Sequence, residues 1–210
     1  MRSVDYWNDA CRGLAHRDPV LASLIETHRD DRLRGSGDAF RTLVNAVVGQ
    51  QISVAAAESI WNRLTSLSPE LTPSGLLSCT EETLRTTGLS GRKVEYIRGI
   101  SRAFVEGTVD PARWETLSDQ EVRGHLCTLR GVGPWTADMM LIFHLHRSDI
   151  LPLEDIGLVN GATRLYQWDR TLDLRERAAL LRDHAERWKP WRTVATWYIW
   201  RDIDAEPVIY

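Results

Sequence analysis

The chain has 210 residues, which is enough for one substantial domain or two small lobes but not for a larger assembly of domains. Hydrophobic residues make up 43% of the sequence, so a hydrophobic core can form and a disordered chain is excluded. The formal net charge of −3 excludes a strongly basic chain that would bind nucleic acid by overall charge alone.

Cysteine usage and the N-terminal segment indicate a soluble protein of a reducing compartment. The three cysteines, Cys11, Cys79 and Cys127, lie far apart and form no CxxC pair, which excludes a zinc ribbon, an iron–sulfur cluster and a disulfide framework. The first residues contain no apolar signal segment, and no window is apolar enough to span a membrane. The sequence therefore predicts a cytoplasmic protein.

Hydrophobic periodicity is helical along almost the whole chain. Amphipathic stripes begin, in chain order, at Phe40, Ala57, Val94, Val122, Ala137, Leu174 and Val194. Helix-start signals precede several of them: Asp38, Ser53, the capping box Ser118–Glu121, and Pro134 as a first helical residue. No stretch alternates with a period of two residues, so the sequence predicts an all-α protein of about eight to eleven helices with short connections.

A Gly-x-Gly turn lies between the fourth and fifth stripes, in the segment Leu129–Ala137 (LRGVGPWTA). Gly131 and Gly133 allow positive φ angles, and the helix that follows directs its free N–H groups and positive dipole end over the turn. Such a turn can hold a phosphate with main-chain groups alone, so a net-acidic protein can still bind DNA. Taken by itself, the Gly-x-Gly pattern favours an ordinary tight turn between two helices.

Four segments together resemble the helix-hairpin-helix DNA glycosylase superfamily. The segment Leu129–Ala137 resembles its hairpin, and Asp155 follows Trp135 by 20 residues, the kind of spacing at which the essential aspartate follows the hairpin in that superfamily. Upstream, Gly49–Ser53 (GQQIS) resembles the family's loop that enters the duplex.

The C-terminal segment resembles one branch of that superfamily, the type II 3-methyladenine DNA glycosylases. Its residues Ala185–Arg192 (AERWKPWR) and Trp200 are similar to the branch's C-terminal helix, and Gly88–Ser90 followed by Lys93 also fits. The resemblance implies one glycosylase domain, 1–210, with two helical lobes that flank a DNA-binding cleft. Lobe A would be a helical barrel of about residues 38–147, and lobe B would combine 1–37 with 148–210.

The resemblance implies that Asp155 is the catalytic carboxylate. Positive charge develops on the deoxyribose as a base departs, and a nearby carboxylate stabilises that charge and can orient the attacking water. At about 4 Å and an effective dielectric near 20 this interaction is worth roughly 4 kcal/mol. Glu154 is the competing residue, since two adjacent carboxylates at a helix start can simply complement the helix dipole.

Tryptophans are the candidates for contact with the base. Trp135 stands where the bifunctional members of the family have a Schiff-base lysine, and an indole cannot form an imine, so a monofunctional hydrolase is implied. Alkylated purines are cationic, and the indole faces of Trp135 and Trp200 offer cation–π stacking, with Trp197 as a weaker candidate. Core packing is the alternative for each of them, and Trp188 and Trp191 are assigned to the core.

The resemblance also implies the contacts with DNA. Gln51 would fill the space left by the extruded base and Gln50 would lie near the base pocket, although both could simply cap helix ends. Phosphates would be bound by Gly131, Val132, Gly133, Thr136 and Lys93. A monovalent cation would rest on the main-chain carbonyls of Cys127, Leu129 and Val132, and no other cofactor is implied.

These observations predict a monofunctional DNA glycosylase that releases alkylated purines from double-stranded DNA in base excision repair. The same fold acting on oxidised or deaminated bases is one alternative. A non-catalytic helix-hairpin-helix DNA-binding module is another, and it explains the hairpin equally well but not Asp155 at its spacing. The chain is expected to act as a monomer on chromosomal DNA.

Overall fold

The computed structural model describes residues 4–204, which contain helices, turns and connecting loops and no strand. The α-helices of this part of the chain are α1 (Trp7–Arg17), α2 (Pro19–Thr27), α3 (Ala39–Gly49), α4 (Val54–Leu67), α5 (Pro73–Ser78), α6 (Glu81–Thr86), α7 (Gly91–Val105), α8 (Asp119–Leu126), α9 (Pro134–Phe143), α10 (Ile156–Leu165), α11 (Leu174–His184) and α12 (Arg192–Ile203). Short 3-10 helices, Pro111–Thr116 and Ala185–Trp188, precede α8 and α12.

The predicted all-α class is confirmed, but the described residues contain more helices than the sequence predicts. Helices α5 and α6 have six residues each, so they are too short to show a helical period. Predicted start signals are observed where they were expected: the Asp38 and Ser53 side chains cap α3 and α4, Ser118 and Glu121 form a capping box, and Pro134 opens α9.

The described residues group into two compact units. One is formed by Gly35–Leu145, and the other combines residues 4–34 with 146–204. No helix among residues 4–204 is long and apolar enough to cross a membrane.

In the unit Gly35–Leu145, helices α3 and α9 form the centre of the core. Both are apolar around most of their circumference, and nearly all of their residues are buried. Helix α3 packs against α4, α7 and α9. Because α3 ends at Gly49 and α9 begins at Pro134, this packing fixes the two segments that the sequence singles out, the GQQIS loop and the hairpin.

In the other unit, α12 is the most buried part of the core, and every residue from Thr193 to Ile199 is buried. It packs against α10, and a Cβ added at Gly161 would lie 2.5 Å from Ile203 Cδ1. Glycine therefore permits the close approach of these two helices. Asp155 precedes α10 and Trp200 lies in α12, so this contact brings the two residues together.

Candidate active site and DNA-binding hairpin

Asp155 is the N-cap residue of α10. Its Oδ1 accepts a hydrogen bond from the Leu158 N–H at 2.6 Å, and its own N–H donates to the Pro152 carbonyl at 3.0 Å. Asp155 is partly exposed, whereas Glu154 next to it is exposed. A carboxylate at this position satisfies a first-turn N–H group and lies at the positive end of the helix dipole.

Two further groups, one in α12 and one at its C-terminal end, lie close to this carboxylate. The indole Nε1 of Trp200 lies 3.4 Å from Asp155 Oδ1, and the Trp200 ring is partly exposed. Burial, together with the negative charge of Asp155, raises the pKa of the Asp204 carboxyl, and the Arg201 guanidinium partly offsets that shift. The arrangement is therefore a partly exposed anionic site with an aromatic wall.

Trp197 does not belong to this site. Its side chain is 3% exposed, and its ring packs edge-on against Trp7 and Tyr198, with centroids 5.2 and 5.0 Å apart. A ring enclosed in this way has no face left for an extruded base, so we leave it out of the proposed base pocket. Trp188, assigned to the core from the sequence, is fully buried.

The two glycines of the hairpin have different roles. Gly131 has φ +87°, and a Cβ there would lie 2.2 Å from the Tyr96 ring, so both backbone conformation and space require glycine. Gly133 has the extended backbone of an N-cap residue and open space around its Cα, so neither its backbone conformation nor its surroundings require glycine. Helix α9 begins directly after it without a side-chain cap.

Not all of the main-chain groups expected to bind phosphate are available. The Val132 N–H donates to the Leu129 carbonyl at 3.0 Å inside the turn, so its predicted phosphate contact is wrong. Within residues 4–204 the N–H groups of Gly131 and Gly133 have no such acceptor. Thr136 as a whole residue is 1% exposed, and its Oγ1 accepts from Gln50 Nε2, so neither its hydroxyl nor its amide is accessible to a phosphate and its predicted phosphate contact is wrong.

Gln50 lies against the hairpin. Its Nε2 donates to the Gly131 carbonyl at 2.9 Å and to Thr136 Oγ1 at 2.7 Å. Gln51 follows with φ +57°, unusual for a residue with a side chain, and it is exposed at the tip of the loop. Neither side chain caps a helix end.

Lys93 is partly exposed, and its ammonium group is bound to main-chain carbonyls. Its Nζ donates to the Val48 carbonyl at 2.7 Å and to the Gln50 carbonyl at 2.8 Å, at the end of α3. Burial lowers the pKa of this ammonium group. The charge complements the carbonyl end of a helix, and one N–H group of the ammonium remains for the predicted phosphate contact, which stays a prediction.

The three carbonyl groups predicted to hold a cation belong to one short segment. Cys127 is the C-cap residue of α8, and the Leu129 carbonyl accepts the Val132 N–H. A carbonyl oxygen has two lone pairs, so this hydrogen bond still allows Leu129 to act as a ligand. Among residues 4–204 no group of three or more His, Cys, Asp or Glu side chains could hold a metal ion.

Sequence reasoning missed the ion pair that joins the two helices of the hairpin. Arg123 Nε, in the last turn of α8, donates to Asp138 Oδ1 in α9 at 2.7 Å, and Asp138 is buried. The sequence could have predicted this pair, because a hairpin between these helices brings the end of α8, with Arg123, close to the start of α9, with Asp138.

The fold and these features define a helix-hairpin-helix protein, and comparison with known proteins specifies the family. Residues 44–190 match the model of the HhH-GPD superfamily base excision DNA repair protein. This match covers more than half of the chain, which therefore belongs to the HhH-GPD superfamily.

Known proteins resemble this chain over most of their own length and most of its length. A DNA-3-methyladenine glycosylase of Schizosaccharomyces pombe is 32% identical over 194 residues, which are 90% of this chain and 83% of the relative. The solved structure of a 3-methyladenine DNA glycosylase of Schizosaccharomyces pombe in complex with abasic DNA has a TM-score of 0.82 at 30% identity and covers 92% of this chain and 95% of that one. A DNA-3-methyladenine glycosidase from Bacillus halodurans has a TM-score of 0.73 at 33% identity, over 91% and 88% of the two chains.

Proposed function

We propose that this protein is a monofunctional DNA glycosylase that hydrolyses the N-glycosidic bond of alkylated purines in double-stranded DNA, the first step of base excision repair. The observation that carries the proposal is the partly exposed Asp155 carboxylate at the start of α10, with the Trp200 indole against it. The names of the relatives support the choice of alkylated purines over oxidised or deaminated bases.

Asp155 acts as an ionised carboxylate. As the bond between C1′ and the purine nitrogen breaks, its electron pair leaves with the base and positive charge develops on the sugar. The carboxylate stabilises that charge and orients a water molecule, whose oxygen adds to C1′ while a proton is released. Trp200 supplies an electron-rich ring for a cationic purine, a contact worth roughly 0.5–2 kcal/mol.

The hairpin holds a DNA phosphate through main-chain groups. The N–H groups of Gly131 and Gly133 are the donors, and the dipole of α9 adds positive potential. A monovalent cation on the carbonyls of Cys127, Leu129 and Val132 would add positive charge at the same place.

Gln51 fills the space vacated by the extruded base, because it is exposed at the tip of its loop. Trp135 contacts the extruded base, as the sequence predicts. An indole in place of a Schiff-base lysine leaves water as the nucleophile, so no strand cleavage accompanies base release. The protein works as a monomer on chromosomal DNA in the cytoplasm.

The test is base release from defined substrates. DNA treated with a methylating agent, and duplexes carrying single 7-methylguanine, hypoxanthine or 8-oxoguanine residues, are incubated with the purified protein and the released bases are identified by chromatography. We expect release of 3-methyladenine and 7-methylguanine, much slower release of the neutral bases, and abasic strands that stay intact until they are treated with alkali.

Two results would contradict the proposal. Release of oxidised or deaminated bases in preference to alkylated ones would assign a different substrate to the same fold. A covalent protein–DNA adduct trapped by borohydride would show a lyase. If no base is released from any substrate while duplex DNA is bound, the protein is a non-catalytic DNA-binding module.

A further inference from the structure

The loop between α3 and α4, residues 50–53, has a conformation that needs support, and we call it the intrusion loop. Gln51 holds a left-handed backbone conformation that side-chain-bearing residues seldom adopt. Ile52 in the loop and Val54 at the start of α4 are 38% and 45% exposed, so the loop and its junction with α4 present apolar surface to solvent. On its C-terminal side the loop is anchored by Ser53, whose Oγ accepts the Ala56 N–H at the start of α4.

On its N-terminal side the intrusion loop is held by Lys93 from α7. The ammonium group donates to two carbonyls, those of Val48 and Gln50, at 2.7 and 2.8 Å. These carbonyls lie at the end of α3, where helix geometry leaves acceptors without intrahelical donors. Gln50 directly precedes Gln51, so Lys93 fixes the peptide that leads into the left-handed residue.

The side chain of Gln50 makes a second connection, to the hairpin. Both hydrogens of its amide nitrogen have acceptors there, the Gly131 carbonyl and Thr136 Oγ1. These acceptors stand next to the main-chain groups proposed to bind phosphate. Contacts of 2.7–2.9 Å therefore run without interruption from Lys93, through Gln50, to the hairpin.

We infer that Lys93 and Gln50 are positioning residues that hold the intrusion loop in its DNA-penetrating conformation before DNA arrives and tie it to the phosphate-binding hairpin. A loop already held in place loses less conformational entropy when it enters the stack, which favours extrusion of the base. Neither side chain touches the reacting atoms. The inference rests on the proposed function, because it concerns how that site gains access to a paired base.

The test compares Lys93→Met with Arg102→Met, which removes an equal charge from an exposed position of the same helix. Single-turnover release of 7-methylguanine is measured from a fully paired duplex and from a single strand, in which no base pair has to be opened. We expect Lys93→Met to slow release from the duplex by about tenfold and from the single strand by less than about twofold. Arg102→Met should leave both rates unchanged, and Gln50→Ala should resemble Lys93→Met.

A second measurement does not depend on activity. Amide hydrogen exchange over residues 49–54 should become at least about fivefold faster in Lys93→Met, while exchange in α9 stays as in the wild type. Equal slowing on duplex and single strand would overturn the inference, because it would indicate damage to the fold or the base site. Unchanged exchange in the loop would also overturn it. Wild-type protein that releases no base would contradict the proposed function, whereas the exchange result would still decide whether Lys93 holds the loop.

Discussion

Two aspartates of the same compact unit, Asp18 and Asp155, occupy the same local motif and have different surroundings. Each is the N-cap residue of a helix, α2 and α10, and each carboxylate accepts first-turn N–H groups. Each also has an indole N–H nearby, from Trp188 at 2.8 Å and from Trp200 at 3.4 Å. Asp18, however, is 1% exposed, whereas Asp155 is partly open to solvent.

The remaining oxygen of Asp18 is enclosed by side chains. Oδ2 accepts from Tyr166 Oη and Trp188 Nε1, each at 2.8 Å, and His184 Nε2 lies 3.2 Å away. Burial alone would raise the pKa of Asp18, but the hydrogen bonds from His184, Trp188 and Tyr166 outweigh burial and hold it well below its usual range. The comparison separates a capping aspartate that is enclosed by donors from one that solvent reaches, and the second is the proposed catalytic residue.

The largest expected effect belongs to Asp155→Asn. Asparagine keeps the shape and caps a helix as well as aspartate, but it removes the charge that faces the developing cation. Base release should slow by at least about 100-fold, while the free energy of unfolding changes by less than about 0.5 kcal/mol. Single-turnover kinetics and urea denaturation measure the two quantities.

The matched control for that variant is Glu154→Gln, at the neighbouring exposed position. It should retain most of the activity, because successive side chains at a helix start point about 100° apart. Both variants should bind DNA with an abasic-site analogue within a few-fold of the wild type. An inactive Glu154→Gln beside an active Asp155→Asn would move the catalytic role to Glu154.

Asp18→Asn should show the opposite behaviour. The amide would turn an N–H group toward the side chains that donate to Oδ2, or leave them without an acceptor. Breaking a buried charged network of this kind costs about 3 kcal/mol of folding free energy. Base release per folded molecule at 25 °C should stay within about twofold of the wild type. A loss of activity without a loss of stability would end the distinction between the two aspartates.

The loss of stability at acid pH should also depend on Asp18. Its pKa is lower in the folded state than in the unfolded chain, where aspartate titrates near 3.9. The carboxylate therefore contributes stability that is present above about pH 4 and is lost as the pH falls toward the folded-state pKa. Melting temperatures between about pH 2 and 5 should fall more steeply for the wild type than for Asp18→Asn. Parallel curves would show that other groups dominate acid unfolding.

Replacing Trp188 or Trp200 by phenylalanine should have different effects at the Asp18 site and at the Asp155 site. Trp188→Phe removes a buried donor from Asp18 and should lower the free energy of unfolding by about 2 kcal/mol. Trp200→Phe removes a long hydrogen bond at a partly exposed position and should cost less than about 0.5 kcal/mol. It should instead slow the release of cationic purines several-fold. If Trp200→Phe destabilises the fold as much as Trp188→Phe, the Asp155 site has the same structural role as the Asp18 site.

The smallest expected effect concerns Asp204. Burial and the nearby Asp155 charge raise the pKa of the Asp204 carboxyl, so its ionised form opposes folding. The stability contributed by the protonated form is therefore lost as the pH rises through the folded-state pKa. Asp204→Asn should stabilise the protein at pH 7 by less than about 1 kcal/mol, because solvent screens a partly exposed group. The gain should shrink below about pH 4 and in an Asp155→Asn background. A gain independent of both would assign the effect to something other than charge.

The sequence determined the helical class and the order of the functional segments because those features are local. A helical period, a capping box and a proline at the first helical position act within a few residues, and α3, α8 and α9 begin where such signals place them. The turn glycine Gly131 is fixed by its backbone conformation. The family resemblance added Asp155, whose capping position at the start of α10 agrees with the pattern of its own segment.

Tertiary structure alone decided what several other side chains do. Lys93 reaches a carbonyl 45 residues away in sequence, and Trp188 donates to Asp18 across 170 residues. The Trp197 ring is buried against Trp7 of α1. The residue type determines which hydrogen bonds a side chain can make and how much surface it can cover. Its actual partner depends on which distant helices pack beside it, and this packing exists only in the folded core.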